Sequence, residues 1–132
     1  MKSTLKAILI FIVCVFSIAL LSACGGSSES DKPTLYTYDP GDAFTTNIKD
    51  SKKILKCQIE FRLTDSKAAT AYAGEESAVV RDIINKFFMG CNESDLININ
   101  LDDLGQKLIA ALNTGLETDC FYSVYFTSYI TA

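Results

Sequence analysis

Histidine and tryptophan are absent from the 132 residues, and proline occurs only twice. Without histidine the chain lacks the side chain that most often moves protons near neutral pH, and also the commonest metal ligand. No Gly-rich phosphate loop, Cys-x-x-Cys pair or nucleophile elbow is present. Positive charge is scarce as well. Beyond Cys24 there are ten Lys and Arg against sixteen Asp and Glu, a formal charge of −6. That balance argues against nucleic acid, where affinity comes chiefly from Lys and Arg on phosphates. It gives no general attraction to an anionic membrane surface either. The carboxylates at Asp39 and Asp42, Glu75 and Glu76, and Asp102 and Asp103 read as a turn, a solvated helix face and a helix N-terminus rather than as a cation site or an acid–base pair. The stretch from Asn92 to Asp103 is rich in side-chain oxygens but lacks the glycine and spacing of an EF-hand. Neither catalysis nor a cofactor is expected.

One long apolar run is present, from Ala7 to Ala23, and Lys2 and Lys6 flank its start. Basic residues before an apolar run stay in the cytoplasm, so the chain beyond the run is expected outside it. The run ends in Leu21, Ser22, Ala23, Cys24 and Gly25, which is similar to a bacterial lipobox. On that reading Cys24 is diacylated and becomes the mature N-terminus. The other reading is an uncleaved transmembrane helix. Seventeen apolar residues sit at the short limit for a hydrocarbon core of roughly 30 Å, and Gly25 to Ser28 extend the run without adding charge. Residues 1–24 are thus a signal peptide or membrane anchor. Residues 25–33 are a Gly/Ser-rich tether, of which eight residues span roughly 16 Å on average as a flexible coil. Residues 34–132 form a single extracytoplasmic domain, large enough to bury about two-thirds of its unfolded surface.

Within the domain, Leu55, Cys57, Ile59, Phe61 and Leu63 alternate with Lys56, Gln58, Glu60 and Arg62. This strict period of two is a strand with one buried and one solvated face. Ala43 to Ile48 reads as a shorter strand, joined to it through a turn at Asp50 to Lys53. Asp65 or Ser66 caps a helix through Ala68, Ala69 and Ala71, and Gly74 interrupts it. A second helical piece carries Val79, Val80, Ile83, Ile84, Phe87 and Phe88 as one broad apolar face, with Gly90 as its C-terminal cap. The connector from Cys91 to Asn100 reads as loop. A further helix, capped by Asn100, Asp102 or Asp103, repeats Leu104, Leu108, Ala111, Leu112 and Leu116 and ends at Gly115. The last strand, Phe121 to Ile130, has aromatic residues of both parities, which predicts a central strand or one covered on both faces. The order ββααβ specifies an α+β fold, a small mostly antiparallel sheet packed with two to three helices.

Three cysteines fall in this domain: Cys57, Cys91 and Cys120. An odd number leaves at least one unpaired in a monomer. A bridge is compatible with export, and so are three small buried hydrophobes. Lys49, Lys52, Lys53 and Lys56 are the one basic concentration, either a docking patch, with Lys52 and Lys53 as contact candidates, or the solvated end of a hairpin. Tyr125 and Tyr129 of the last strand are the aromatic contact candidates, set against covered core positions.

Phe44, Thr46, Asn47 and Ile48 before the alternating strand, AVVRDIINKF at Ala78 to Phe87, and Val124, Tyr125, Phe126 and Thr127 in the last strand occur in an order and spacing that resembles the FliL family, over nearly all of residues 38–132. The resemblance implies a stomatin-like domain. It also implies a non-enzymatic, membrane-anchored accessory protein of the bacterial flagellar basal body. Such a protein would associate with motor stator units, support motility and chemotactic rotation, and assemble as a homo-oligomeric ring. The alternative is a small extracytoplasmic lipoprotein binding module unrelated to flagella.

Overall fold

The computed structural model describes residues 31–132. Lys2, Lys6, the apolar run, Cys24 and most of the tether lie outside the described residues. The elements are β1 (Tyr36–Tyr38), β2 (Phe44–Asn47), β3 (Ile54–Leu63), α1 (Ser66–Ala73), α2 (Ser77–Met89), α3 (Glu93–Leu96), α4 (Leu101–Gly115) and β4 (Phe121–Thr131). The α+β architecture expected from the sequence is present, with two additions: the short strand β1 and the single-turn helix α3.

β3 is the centre of the sheet. On one side it pairs antiparallel with β4 along nearly its whole length, from Leu55↔Thr131 to Leu63↔Phe121. On the other side β2 pairs with its first half, Ile54 to Cys57, and β1 with its last three residues. The five inward side chains named from the period-two pattern are all 1 % exposed or less. The helices cover that face alone. α2 contributes Val80, Ile84 and Phe88, one residue per turn, while α4 contributes Leu104, Leu108 and Leu112. Val79 is exposed, so the buried stripe of α2 is narrower than its composition suggests.

Local chemistry sets the ends of these elements. The Asp65 carboxylate accepts from the N–H groups of Lys67 and Ala68 and starts α1. Gly74 ends that helix and Gly90 ends α2. Asn100 caps α4 by accepting from the Asp102 N–H at 2.8 Å. Helix α3 falls where a loop is expected from the sequence. Its origin is a reciprocal capping box in which Asn92 accepts from the Asp95 N–H and Asp95 accepts from the Asn92 N–H. Leu96 then anchors the turn in the core.

The expectation that β4 is central or covered on both faces is corrected. Among the described residues β4 pairs only with β3, so it is an edge strand. The mixed aromatic parity has another cause. The register shifts twice, between the pairs Gln58↔Ser128 and Ile59↔Phe126 and between Arg62↔Ser123 and Leu63↔Phe121. Each shift places one extra residue, Thr127 or Tyr122, in β4 and reverses the parity beyond it. Phe121, Val124, Phe126 and Tyr129 consequently all reach the helix-covered side despite their mixed numbering.

An aromatic cluster closes one end of the core. Phe121 lies edge-on to Phe61 at 5.3 Å between ring centroids and stacks on Tyr72 at the same distance, with Tyr38 beside all three. Arg81 fixes the link between β1 and β2. Its Nη1 donates to the carbonyls of Pro40 (2.6 Å) and Asp42 (3.0 Å), and the guanidinium lies over the Phe44 ring.

α4 sits directly on β4 because Gly105 has no side chain. A Cβ there would lie 2.7 Å from Val124 Cγ1, a methyl of a stiff β-branched residue. Gly105→Ala is therefore expected to destabilise the domain by about 1–2 kcal/mol, overpacking outweighing the gain in helix propensity. Adding Val124→Ala should recover part of that loss. Chemical denaturation of the two variants checks both statements.

Candidate functional site

Among the described residues every helix lies on one face of the sheet, and the other face is open to solvent. It carries Lys56, Gln58, Glu60 and Arg62 from β3 and Tyr125 and Ile130 from β4. Tyr125, opposite Glu60, is 53 % exposed and Ile130, opposite Lys56, is 54 % exposed. Arg62 organises the middle of this face. It pairs with Glu60 at 3.0 Å, donates to the Thr37 hydroxyl, and holds its guanidinium 5.6 Å from the Tyr125 ring centroid. The cation fixes the exposed ring in place and so lowers the entropy lost when a partner covers it.

Of the residues singled out in the sequence, Tyr125 lies on this face and Tyr129 does not. Tyr129 points to the helix side, where its hydroxyl donates to the Leu96 carbonyl at 2.7 Å. Burial pushes its pKa up from 10.0 to about 12. Lys52 and Lys53 stand at the β2–β3 turn, where Asp50 adopts a left-handed conformation (φ 56°). Lys53 pairs with Glu93 at 3.1 Å, and the Ser51 hydroxyl also donates to that carboxylate. These hydrogen bonds, Ser51 first and then Lys53, hold the Glu93 carboxyl below its usual range. The turn is thereby tied to α3, and Lys52 keeps its ammonium exposed. Seven residues along β3 separate Lys53 from Glu60, the partner of Tyr125, roughly 23 Å of strand. The lysine pair and the tyrosine therefore form two sites rather than one.

Cys57, Cys91 and Cys120 are all buried and free. Burial raises the Cys57 thiol to about 12 and also raises the Cys91 thiol. Neither is poised as a thiolate nucleophile. Asp39 and Asp42 lie in a turn and Asp102 and Asp103 at a helix N-terminus as expected, whereas Glu75 and Glu76, expected on a helix face, lie in the turn between α1 and α2 that Gly74 opens. Asp39 accepts from the Gly41 N–H at 2.8 Å, Glu76 precedes α2, and Asp102 and Asp103 open α4.

Sequence reasoning missed two clefts that α3 and the segment after it create. One, of about 290 Å³, has Phe87, Ile99 and Leu104 on its walls and Asp95, Asp103 and Lys107 at its rim. The other, of about 270 Å³, lies between residues 96–101 and the C-terminal part of β4. Asn92 and Asp95, spaced as a capping box, were the one signal in the sequence for the helix that shapes them.

Residues 37–131 match the family model for the flagellar basal body-associated protein FliL. No curated protein matches the chain.

The buried hydroxyl and thiols make stability fall in alkali. In the unfolded chain Cys57 and Tyr129 ionise near 9.0 and 10.0, whereas in the fold both hold their protons to about 12. The unfolded state therefore loses protons first as pH rises. The denaturation midpoint is expected to hold steady up to about pH 9 and to fall between about 9 and 12. Tyr129→Phe should flatten the fall above about pH 10, at the cost of about 1 kcal/mol at neutral pH for the lost hydrogen bond. Denaturant titrations across that pH range check this.

Proposed function

The chain belongs to the FliL family of flagellar basal body-associated proteins, and from that premise we propose that it is a non-enzymatic accessory of the motor. It associates with the stator units and supports motility and chemotactic rotation. The observation that carries this reading is the family match across the whole ordered domain, residues 37–131. The uncovered sheet face, with Tyr125 held in place by Arg62, adds a surface suited to a protein partner.

The domain is held outside the cytoplasm at the membrane, either by a lipid on Cys24 or by the apolar run Ala7 to Ala23 as a helix. Among the described residues no helix is long and apolar enough to cross a membrane. Such a tether confines the domain to the membrane plane and raises its effective concentration towards its neighbours. Contacts of modest intrinsic affinity then suffice for copies to assemble side by side, as a ring, around a stator. Tyr125 on the sheet face and Lys52 at the hairpin tip are the exposed contact residues, with Tyr129 and Lys53 bracing the structure behind them.

Fluorescently tagged full-length protein is expected to form foci that coincide with labelled flagellar bases in the source cell. An even membrane distribution in flagellated cells would overturn the assignment. For the anchor, an alkyne fatty acid is expected to label the wild-type chain but not Cys24→Ala. Absence of label from a wild-type chain that still fractionates with membranes would assign the anchor to the helix.

A further inference from the structure

β4 is an edge strand of eleven residues, and the chain carries no charge from Phe121 to Ala132. Edge strands are normally protected by lysine, proline or a covering element, because their free N–H and C=O groups invite another strand. The backbone pattern identifies which groups are free. Ile54 and Ala132 exchange both hydrogen bonds, at 2.7 and 3.1 Å. Antiparallel pairs alternate, so the pairs Leu55↔Thr131 and Cys57↔Tyr129 are not hydrogen-bonded. The N–H and C=O of Tyr129 and Thr131 therefore point away from β3, towards the open edge. At the other end of β4 the fold deals with the same problem directly. There the Asn113 side-chain amide accepts from the Phe121 N–H at 3.1 Å and donates to its carbonyl at 3.2 Å, in the manner of a neighbouring strand. Among the described residues nothing does this for Tyr129 and Thr131.

Beside those two residues lies the cleft of about 270 Å³, whose remaining walls are Leu96, Ile97, Asn98, Ile99 and Leu101. Asn98, in a left-handed conformation (φ 56°), turns the chain between the two isoleucines. Free backbone groups thus border a cleft of mixed lining, in which Ile97, Ile99 and Leu101 stand beside Asn98 and Thr131. Strand addition draws affinity from such backbone groups and side-chain selection from an adjoining pocket.

We propose that the edge of β4 from Ser128 to Thr131, with this cleft, takes up a short extended segment of a partner protein as an added strand, its apolar side chains alternating and its flanks uncharged or basic. A second copy of β4 does not fit the site. Its own α4 runs along β4, with Gly105 against Val124 and its first residue, Leu101, lining the same cleft as Thr131. Adjacent strands lie about 4.8 Å apart, whereas helices pack about 8–10 Å apart, so the two α4 helices would collide. A bare strand brings no helix. Charge selects further: the cleft walls carry no ionised side chain, Asp102 and Asp103 follow Leu101, and the chain beyond Cys24 has a formal charge of −6. An acidic segment is repelled. The bulge at Thr127 ends the straight edge and limits the added strand to about five residues.

The inference stands apart from the flagellar reading, and its test uses purified full-length chain in detergent micelles. The probe is the peptide Lys-Val-Thr-Val-Thr-Val-Lys, blocked at both ends. It is expected to slow amide hydrogen exchange at Tyr129 and Thr131 by about tenfold or more, since those N–H groups become bonded. The same peptide N-methylated at its valines, and a version with Glu at both ends, should leave exchange unchanged. Thr131→Pro removes an edge donor that β3 does not use, a position where edge strands tolerate proline. It is expected to weaken peptide binding about tenfold while leaving the denaturation midpoint close to wild type. Unchanged exchange at Tyr129 and Thr131 with the first peptide would overturn the proposal, and so would equal protection by the N-methylated or acidic peptides. A negative result leaves the localisation experiment untouched, because that experiment reads position in the cell rather than peptide capture.

Discussion

The double-sided pairing of β3 is the constraint on which the rest of the molecule depends. It pairs with β4 along nearly its whole length on one edge, and on the other with β2 over Ile54 to Cys57 and with β1 over Phe61 to Leu63, so both of its ends are held from two sides. Its period-two side chains put five apolar residues on one face and polar ones on the other. That single alternation decides which face the helices cover, where the aromatic cluster forms, and which face stays open. A one-residue slip would exchange the two faces and put Lys56, Gln58, Glu60 and Arg62 against α2 and α4. The turn at Asp50, braced by Ser51, Lys53 and Glu93, pins the register at the start of β3.

A two-layer domain of this kind divides its surface by function. The helix layer is spent on the core: Val80, Ile84, Phe88, Leu104, Leu108 and Leu112 have no exposed role. The open sheet face and the free edge of β4 are the surfaces left for recognition. They differ in chemistry. The face presents an aromatic ring and ion-paired charges, whereas at the edge backbone groups sit beside a cleft of mixed polar and apolar lining. The two surfaces adjoin without overlapping, so either one can be covered while the other stays open.

Much of the architecture was legible in the sequence because local and global preferences agree there. The strand β3, the break at Gly74, the stop at Gly90 and the Asn100 cap all arise from residue chemistry that acts within one turn or one strand. The features that were not legible depended on partners distant in sequence. β1 is three residues long, too short for a period to register, and exists because Phe61 to Leu63 offer it a ladder. The bulges at Thr127 and Tyr122 carry no local mark and appear only when β4 is laid against β3. The bulge at Thr127, which lies between them, explains why Tyr125 and Tyr129, equivalent by parity, end on opposite sides. Tyr125 was a contact candidate set against a covered core position, and its exposure and the Arg62 cation beside it become evident only once β4 is laid against β3. The clefts beside α3 arise from a capping box too short to read as a helix.

The way the chain enters the domain has a mechanical consequence. A pull on the chain from its N-terminal side is felt first by β1, whose three residues hold to the last three of β3. Behind β1 comes the link gripped at two carbonyls by Arg81. Both are weak compared with the β3–β4 ladder, which runs almost the full length of the sheet and shares no residue with them except at its far end. Under tension the first strand peels before the core is loaded, and the leash lengthens by a few residues while the sheet face keeps its shape. A short, weakly held strand thus stands between the N-terminal approach of the chain and the rest of the sheet.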